Sequence, residues 1–423
     1  MSNAEAALGT RSRPLRAGLV GLIAALSLCL VPGVADAAKG KKKGKGQEIS
    51  VMTRNLYLGG DLGPALRASN VDQAIDAGGQ IVNQVHATKF PSVRAALLAR
   101  EILKQRPDVV GLQEVALWRT GPFNLAAALN KAPVATQVDP LAGDFLTELQ
   151  NQLAQQRKKL GKKNKGKGKK GASAAAKKKK PTPPKYRLAV VKDEFDFELP
   201  VNNGSGGLAA ANRNERLTMR DAILVRKGVK VRNPSSGTFN ALLRVQLAGF
   251  LSIDVTRGWT AVNVKVRGRG FNVVNTHFEA FDSQASNPAS NGIAYPKGGI
   301  RQAQAQQLVG PGGPANRKNT LLIGDLNSNV PLQGNQAPGD DLAFQTVSGA
   351  GFRSVAIKPP PFSCCISDPN LTVASPVGVD HVVDQIMANN KKIRFRKGAV
   401  TSSRGSGLWS SDHFGVASRL LTK

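Results

Sequence analysis

The chain has 423 residues, 41% of them hydrophobic and 5% aromatic, with a formal charge of +31 at pH 7. These totals exclude a coreless chain and leave room for one large domain or two ordinary ones, filled mainly by Val, Leu, Ile and Ala. The charge is silent about fold and predicts affinity for polyanions: nucleic acid, anionic lipid or cell-wall polymer.

The chain opens on a stretch that reads as an export signal, residues 1–38. Arg11, Arg13 and Arg16 form a basic leader, Ala17–Val34 is an apolar run broken by Pro32, and Ala35-Asp36-Ala37 offers small residues for cleavage near Ala37. A membrane anchor is the competing reading, but proline and glycine interrupt the run and it is barely long enough to span a bilayer. Secretion is therefore expected. Cys29 would leave with the signal, so Cys364 and Cys365 remain as one adjacent pair, either a vicinal disulfide or two thiols, with no disulfide framework.

A basic tail follows at 39–47, with five lysines in Lys39–Lys45. A second basic run at about 157–185 holds fourteen Lys/Arg and no acid, and is expected to be a disordered insert. Together these two runs carry nineteen of the thirty-one net charges, so the globular part, expected over 48–423, is only moderately basic. A solubilising spacer without a specific partner explains the lysines equally well.

Ile49–Asn55 reads as a strand, and Gly59–Asp61 as a turn. Residues 91–106 read as a helix: Pro91 suits its start, Ala95, Leu98 and Ile102 give its apolar spacing, and Pro107 stops it. Val109–Glu114 is a strand with Glu114 at its end. Ala126–Gln156 is part helix. Tyr186–Lys192 and Met219–Val225 are strands, separated by a small-residue loop at Leu208–Asn214. Trp259–Val266 and Phe271–Asn275 form a hairpin leading into Asn275-Thr276-His277. Ile300–Val309 is helical. Asn319–Asn327 then reads as a buried strand, with period-2 alternation placing Asp325 and Asn327 on one side just past its end. A short helix within Pro338–Val347 and strands at Val379–Met387 and Ala417–Leu421 complete the list. Strands dominate and helices intervene irregularly, which predicts an α/β layered fold with mixed sheets.

Polar residues gather at the strand ends: Asn55, Glu114, Asp221, His277, Asp325, Asn327, Asp380, Asp412 and His413. Each has a bland alternative as a turn, surface or satisfied core residue. Asp325 could equally belong to an Asp/Asn turn; as chemistry, its carboxylate would orient and deprotonate a water while Asn327 donates to developing charge.

In order, Thr53-Arg54-Asn55, Gln113-Glu114, Arg220–Leu224, Asn275-Thr276-His277-Phe278, Gly324-Asp325-Leu326-Asn327, Val379-Asp380-His381 and Ser411-Asp412-His413 resemble the motifs of the endonuclease/exonuclease/phosphatase superfamily. The resemblance implies a four-layer sandwich, two mixed β-sheets packed face to face with helices outside and the site at one end. It implies that Asn55 and Glu114 bind a divalent cation, Mg2+ or alternatively Mn2+, joined by Asp412 directly or through water. It further implies that Asp325 activates water beside Asn327, that His277 and His413 contact phosphate oxygens, and that Asp221 holds His277 and Asp380 holds His413. His381 is read as a filler. The lysine insert and the loops around Asn202–Asn214, Asp282–Gly299 and Pro331–Pro338 match no subgroup.

The expected function is thus a secreted, metal-dependent phosphoesterase, a monomer acting on DNA or RNA. The lysine-rich segments would gather that polyanion, or meet an anionic membrane or cell-wall polymer. The alternatives are a phospholipase C or sphingomyelinase-like esterase, an inositol-phosphate phosphatase, or an inactive polyanion-binding module.

Overall fold

The structure is a computed structural model and describes residues 47–166, 182–249, 251–281, 299–331, 340–355 and 362–422. The export signal, the basic tail up to residue 46 and most of the two later loops expected to choose substrate lie outside them.

Two mixed sheets carry the fold. In the first, the strand order is Ile393–Thr401, Gly415–Thr422, Gln47–Asn55, Val109–Gln113, Arg213–Arg226, Leu117–Pro122 and Gln137–Val138, with Tyr186–Val201 also paired to Arg213–Arg226. In the second, the order is Arg353–Ser354, Asp384–Ala388, Thr320–Asp325, Arg269–His277, Gly258–Val266 and Lys230–Thr238. Each sheet has one parallel pair, Gln47–Asn55 beside Val109–Gln113 and Arg269–His277 beside Thr320–Asp325. The registers end on Asn55 opposite Gln113 and His277 opposite Asp325. Both parallel pairs therefore deliver polar residues at their carboxyl ends.

Alternation along the strands builds the layers. Ile49, Val51, Val109, Ile223 and Val225 of the first sheet join Val262, Val264, Val273, Leu321, Ile323 and Ile386 of the second in one buried cluster. Their sequence neighbours face outward. Met52, Val110, Leu112, Ala222 and Leu224 pack with Val82, Val85, Leu98, Ile102, Phe145 and Leu149 of the helices Val71–Ala87, Ala95–Gln105 and Phe145–Gly166. Val274, Leu322 and Met387 pack with Ala305, Leu308, Ala343 and Val347 of the helices Gly299–Val309 and Leu342–Gly349. Helices, sheet, sheet and helices make the four-layer sandwich that the motifs implied.

Where the sheets meet near the site, the contact is polar. Gln113 Nε2 donates to Asn275 Oδ1 at 2.5 Å, and Asn275 Nδ2 donates to Leu112 O at 3.2 Å. Gly111 makes room for this crossing, because a Cβ there would come within 2.2 Å of Asn275 Oδ1.

Several elements differ from the sequence reading. The helix starting at Phe145 continues to Gly166, so Arg157–Gly166 is helical where the sequence predicts a disordered insert; residues 167–181 lie outside the described residues. Basic side chains interspersed with Leu160 do not prevent helix, since Lys and Arg are good helix formers. Tyr186–Val201 is a 16-residue strand, far longer than its apolar start suggested. Lys230–Thr238 and the hairpin Leu243–Leu247/Leu251–Val255 gave no clear signal. The first carries Pro234 and is largely exposed, as an edge strand tolerates. The run Val379–Met387 enters a sheet only at Asp384. Among the described residues, no helix is long and apolar enough to cross a membrane.

Candidate active site

Asp325 is the centre of the arrangement. It is fully buried at the end of the strand Thr320–Asp325, and Gly324 just before it allows the strand to press against its neighbour: a Cβ there would meet Thr276 O at 2.1 Å. Asp325 Oδ1 accepts the backbone N–H of Asn327 at 2.8 Å. Oδ2 points the other way, 3.0 Å from Asn55 Nδ2, 3.7 Å from His277 Nε2 and 3.6 Å from His413 Nε2. Three other chain segments thus converge on one carboxylate oxygen. Burial works against the charge of Asp325, but His413, His277 and the Asn55 amide outweigh it and hold the carboxyl below its usual range.

Asn327 has left-handed backbone, φ +45°, which turns the chain immediately after the strand. Its side-chain Nδ2 donates to Phe278 O at 2.9 Å, so one of the two amide hydrogens is already committed to backbone. Asn327 acts on Asp325 through its backbone N–H.

Glu114 also sits just past a strand in left-handed backbone, φ +52°. Its Oε1 accepts from Asn55 Nδ2 at 3.0 Å and its Oε2 from Leu58 N–H at 2.7 Å. Asn55 Nδ2 is therefore shared between Glu114 and Asp325, while Asn55 Oδ1 accepts from Tyr57 N–H at 2.8 Å. In this arrangement the hard oxygen donors whose charges meet beside Asn55 are Glu114 and Asp412. Burial raises the Glu114 carboxyl above its usual range, and Asp412 raises it further. Burial raises Asp412 too, against the pull of His413 and Arg94. Two acids that raise each other's cost of ionisation suit a divalent cation, whose charge removes that cost; oxygen donors suit a hard ion.

The two histidines are held in opposite ways. His413 Nδ1 faces Asp384 Oδ2 at 2.9 Å, and burial of the ring is overcome by Asp384, Asp325 and Asp412, which hold its pKa well above the ordinary value. His277 Nδ1 instead faces Arg257 Nη1 at 3.1 Å. A guanidinium only donates, so Nδ1 must accept, and the ring proton belongs on Nε2. Burial and the Arg257 charge lower the His277 pKa to about 3. The site pairs one neutral imidazole with one imidazolium across Asp325.

Two residues assigned from the sequence do not hold these histidines. Asp380 does not meet His413: its side chain is 70% exposed and pairs with His381 Nδ1 at 2.5 Å, while Asp384, four residues on and 2% exposed, takes the place beside His413. The physical reason is the strand start. Pairing begins at Asp384, opposite Asp325, so Asp384 and not Asp380 enters the site. Asp221 does not hold His277. It is buried inside the sandwich without a hydrogen-bond partner for either oxygen; burial first, then Glu194, raise its carboxyl well above the usual range, and Arg257 offsets them in part. Arg257 occupies the His277 Nδ1 position because it also pairs with Glu279 Oε2, at 3.2 Å.

Sequence reading missed the support beneath the site. Arg54 is fully buried beside Asn55; its Nε pairs with Glu101 at 3.0 Å, Nη1 donates to Asn55 O at 3.0 Å and His413 O at 2.7 Å, and Nη2 donates to Ser410 Oγ at 2.9 Å. One guanidinium thereby ties the Asn55 and His413 segments together. Cys364 and Cys365 are joined as a vicinal disulfide, and Cys365 Sγ lies 3.6 Å from His413 Nε2.

Comparison with known proteins agrees in family. A model of the "Endonuclease/Exonuclease/phosphatase family" matches residues 87–413. No curated protein matches the sequence. Among solved structures, the chain is similar to an endonuclease/exonuclease/phosphatase family protein from Leptotrichia buccalis, at 12% identity and TM-score 0.44, covering 88% of this chain and 99% of that one. It is similar to another from Bacteroides thetaiotaomicron, at 14% identity and TM-score 0.44, covering 90% and 99%. A mannosyl-6-phosphatase of Bacteroides thetaiotaomicron is similar at 15% identity and TM-score 0.41, covering 88% and 99%.

Proposed function

The chain belongs to the endonuclease/exonuclease/phosphatase family, and is thus a phosphoester hydrolase; from that premise we propose that it is a secreted, Mg2+-dependent phosphodiesterase of nucleic acid. The observation that carries the chemistry is the convergence of Asn55, His277 and His413 on Asp325 Oδ2.

A phosphodiester resists attack because its oxygens repel an incoming nucleophile. Asp325, held as the anion, orients a water and accepts its proton. His277 presents Nε2–H as a neutral donor, and His413 presents Nε2–H as a cation, fixed by Nδ1–H donated to Asp384. Both donors face the place where negative charge grows on the phosphate oxygens. Glu114 and Asp412, with Asn55 beside them, would hold the metal. Bound Mg2+ would supply charge neutralisation at the phosphate and at the departing oxygen.

Support for a nucleic-acid substrate comes from the charge. The net +31 is concentrated in lysine-rich runs, which attract a polyphosphate chain irrespective of its sequence and lose that attraction as salt rises. Support for secretion is the basic leader, apolar run and small-residue cleavage pattern at 1–38.

The experiment is a substrate panel offered to the purified chain with Mg2+, with Mn2+ and with chelator: plasmid DNA, RNA, sphingomyelin and inositol phosphates. Metal-dependent cleavage of DNA or RNA is expected. Turnover of the lipid or inositol phosphates without nucleic-acid cleavage would overturn the substrate reading.

A further inference from the structure

The vicinal cysteines touch the proposed catalytic centre, yet nothing in that chemistry uses them. Cys365 Sγ lies 3.6 Å from His413 Nε2, and the candidate ligand atoms of Cys364, Cys365 and His413 all fall within 4.8 Å of one another. We propose that, once the disulfide is reduced, these three residues form a site for a thiolate-binding divalent cation of the Zn2+ class, and that filling it takes His413 out of the hydrolytic centre.

Three features of the geometry argue for it. First, the spacing fits. With Zn–S near 2.3 Å and Zn–N near 2.0–2.1 Å, a tetrahedral ion sets its sulfur and nitrogen ligands about 3.6 Å apart. Cys365 Sγ and His413 Nε2 already have that separation. Second, His413 Nδ1 is bonded to Asp384 Oδ2 at 2.9 Å. A carboxylate on the far nitrogen is the usual companion of a metal-binding imidazole, fixing the ring and raising its basicity. Third, the two segments are tied to each other. Phe414 N–H donates to Ser363 O at 2.7 Å, Ile366 N–H donates to Asp412 O at 2.9 Å, and Ser363 Oγ accepts from Asp384 N–H at 3.1 Å. The cysteines are thus presented to His413 by a braced loop.

The donor set separates this site from the oxygen site at Glu114 and Asp412. Two sulfurs and a nitrogen select a softer ion than Mg2+. Reduction by a dithiol or phosphine reductant adds two electrons and two protons to the S–S bond, giving two thiols while the reductant is oxidised. The cation then displaces three protons, one from each thiol and the Nε2 proton of the His413 imidazolium, and takes the Nε2 lone pair so freed. With Nε2 so engaged, His413 has no hydrogen to donate to phosphate.

The test uses the full chain, reduced, freed of reductant and kept anaerobic with saturating Mg2+. Titration with Cd2+ is read by the ultraviolet thiolate-to-cadmium absorption band. One equivalent is expected to bind to the reduced protein, with no band in the disulfide form or in Cys364→Ser/Cys365→Ser. His413→Ala is expected to bind at least tenfold more weakly. Zn2+ is expected to inhibit hydrolysis by the reduced chain at concentrations at least tenfold lower than for the disulfide form, while the double-serine variant keeps normal basal activity and shows no such sensitivity. Cys364→Ala/Cys365→Ala gives a second cysteine-free protein for the same comparison. Absence of the band in the reduced chain, equal Cd2+ affinity in His413→Ala, or equal Zn2+ inhibition of the reduced and cysteine-free proteins would overturn the proposal. The absorption readout is independent of which phosphoester is the substrate.

Discussion

Arg257 Nη1 lies 3.1 Å from His277 Nδ1, and this contact sets the tautomer of a histidine that faces Asp325. The guanidinium makes Nδ1 an acceptor, and burial together with its charge keeps the ring neutral, so that His277 can only donate through Nε2. Arg257 is a positioning residue, since it reaches the reacting region through His277.

Replacing it should show in more than rate. Arg257→Gln is expected to lower kcat by about 10–100-fold, the usual cost of losing a residue that orients an active-site ligand. Removing the Arg257 charge should also let the His277 pKa rise from about 3 toward its ordinary value. The ring should therefore take up its second proton at higher pH, a titration profile that nitrogen NMR of His277 reads directly, and its neutral form should show a mixture of tautomers. An unchanged ring signal and profile would refute the assignment.

Asp384 and Asp380 give a paired test. Asp384→Asn should cost about 10–100-fold in kcat, because His413 Nδ1 loses its carboxylate. Asp380→Asn, at an exposed position, should stay within about twofold of the parent, as substitutions far from a site usually do. Steady-state assay of both proteins decides the point; the reverse order would return His413 to Asp380.

Asp325→Ala and His413→Ala should each leave under about one per cent of activity, since removing one group that stabilises developing charge costs roughly 10²–10³ in rate. Glu114→Gln should instead be partly rescued by more metal. The Mg2+ concentration for half-maximal activity is expected to rise at least about tenfold when one carboxylate of a hard-ion site is removed. A metal titration of the variant against the parent measures this.

Glu194 makes stability pH-dependent. Burial raises its pKa from 4.5 to about 7, with Lys192 and Arg257 opposing, and Lys192 Nζ lies 3.5 Å from Oε2. The folded chain therefore holds this proton to higher pH than the unfolded chain. The sign follows: stability falls as pH rises from 4.5 through about 7, then levels off. The loss should be of order 3 kcal/mol, at about 1.36 kcal/mol per pKa unit. Urea unfolding between pH 5 and 8 should show this fall in the parent and a flatter profile in Glu194→Gln.

The layered fold was legible because its cause is local. Val51, Val109, Ile223 and Ile323 turn inward while Met52, Val110, Leu224 and Leu322 turn outward, and period-2 alternation can be read from single residues. The edge strand Lys230–Thr238 was illegible for the same reason: being mostly exposed, it carries no apolar alternation.

The sequence by itself determined that Asn55, Glu114, His277 and Asp325 would stand at or just beyond strand ends, since a strand's last residues follow directly from where its apolar run stops, and that His413 would lie just ahead of the last strand. Only the tertiary structure decided who meets whom there. Whether His413 faces Asp380 or Asp384, and whether His277 faces Asp221 or Arg257, depends on strand register and on the offset between two packed sheets. Those offsets are set by long-range packing among side chains tens to hundreds of positions apart, and a shift of one residue turns a side chain to the opposite face.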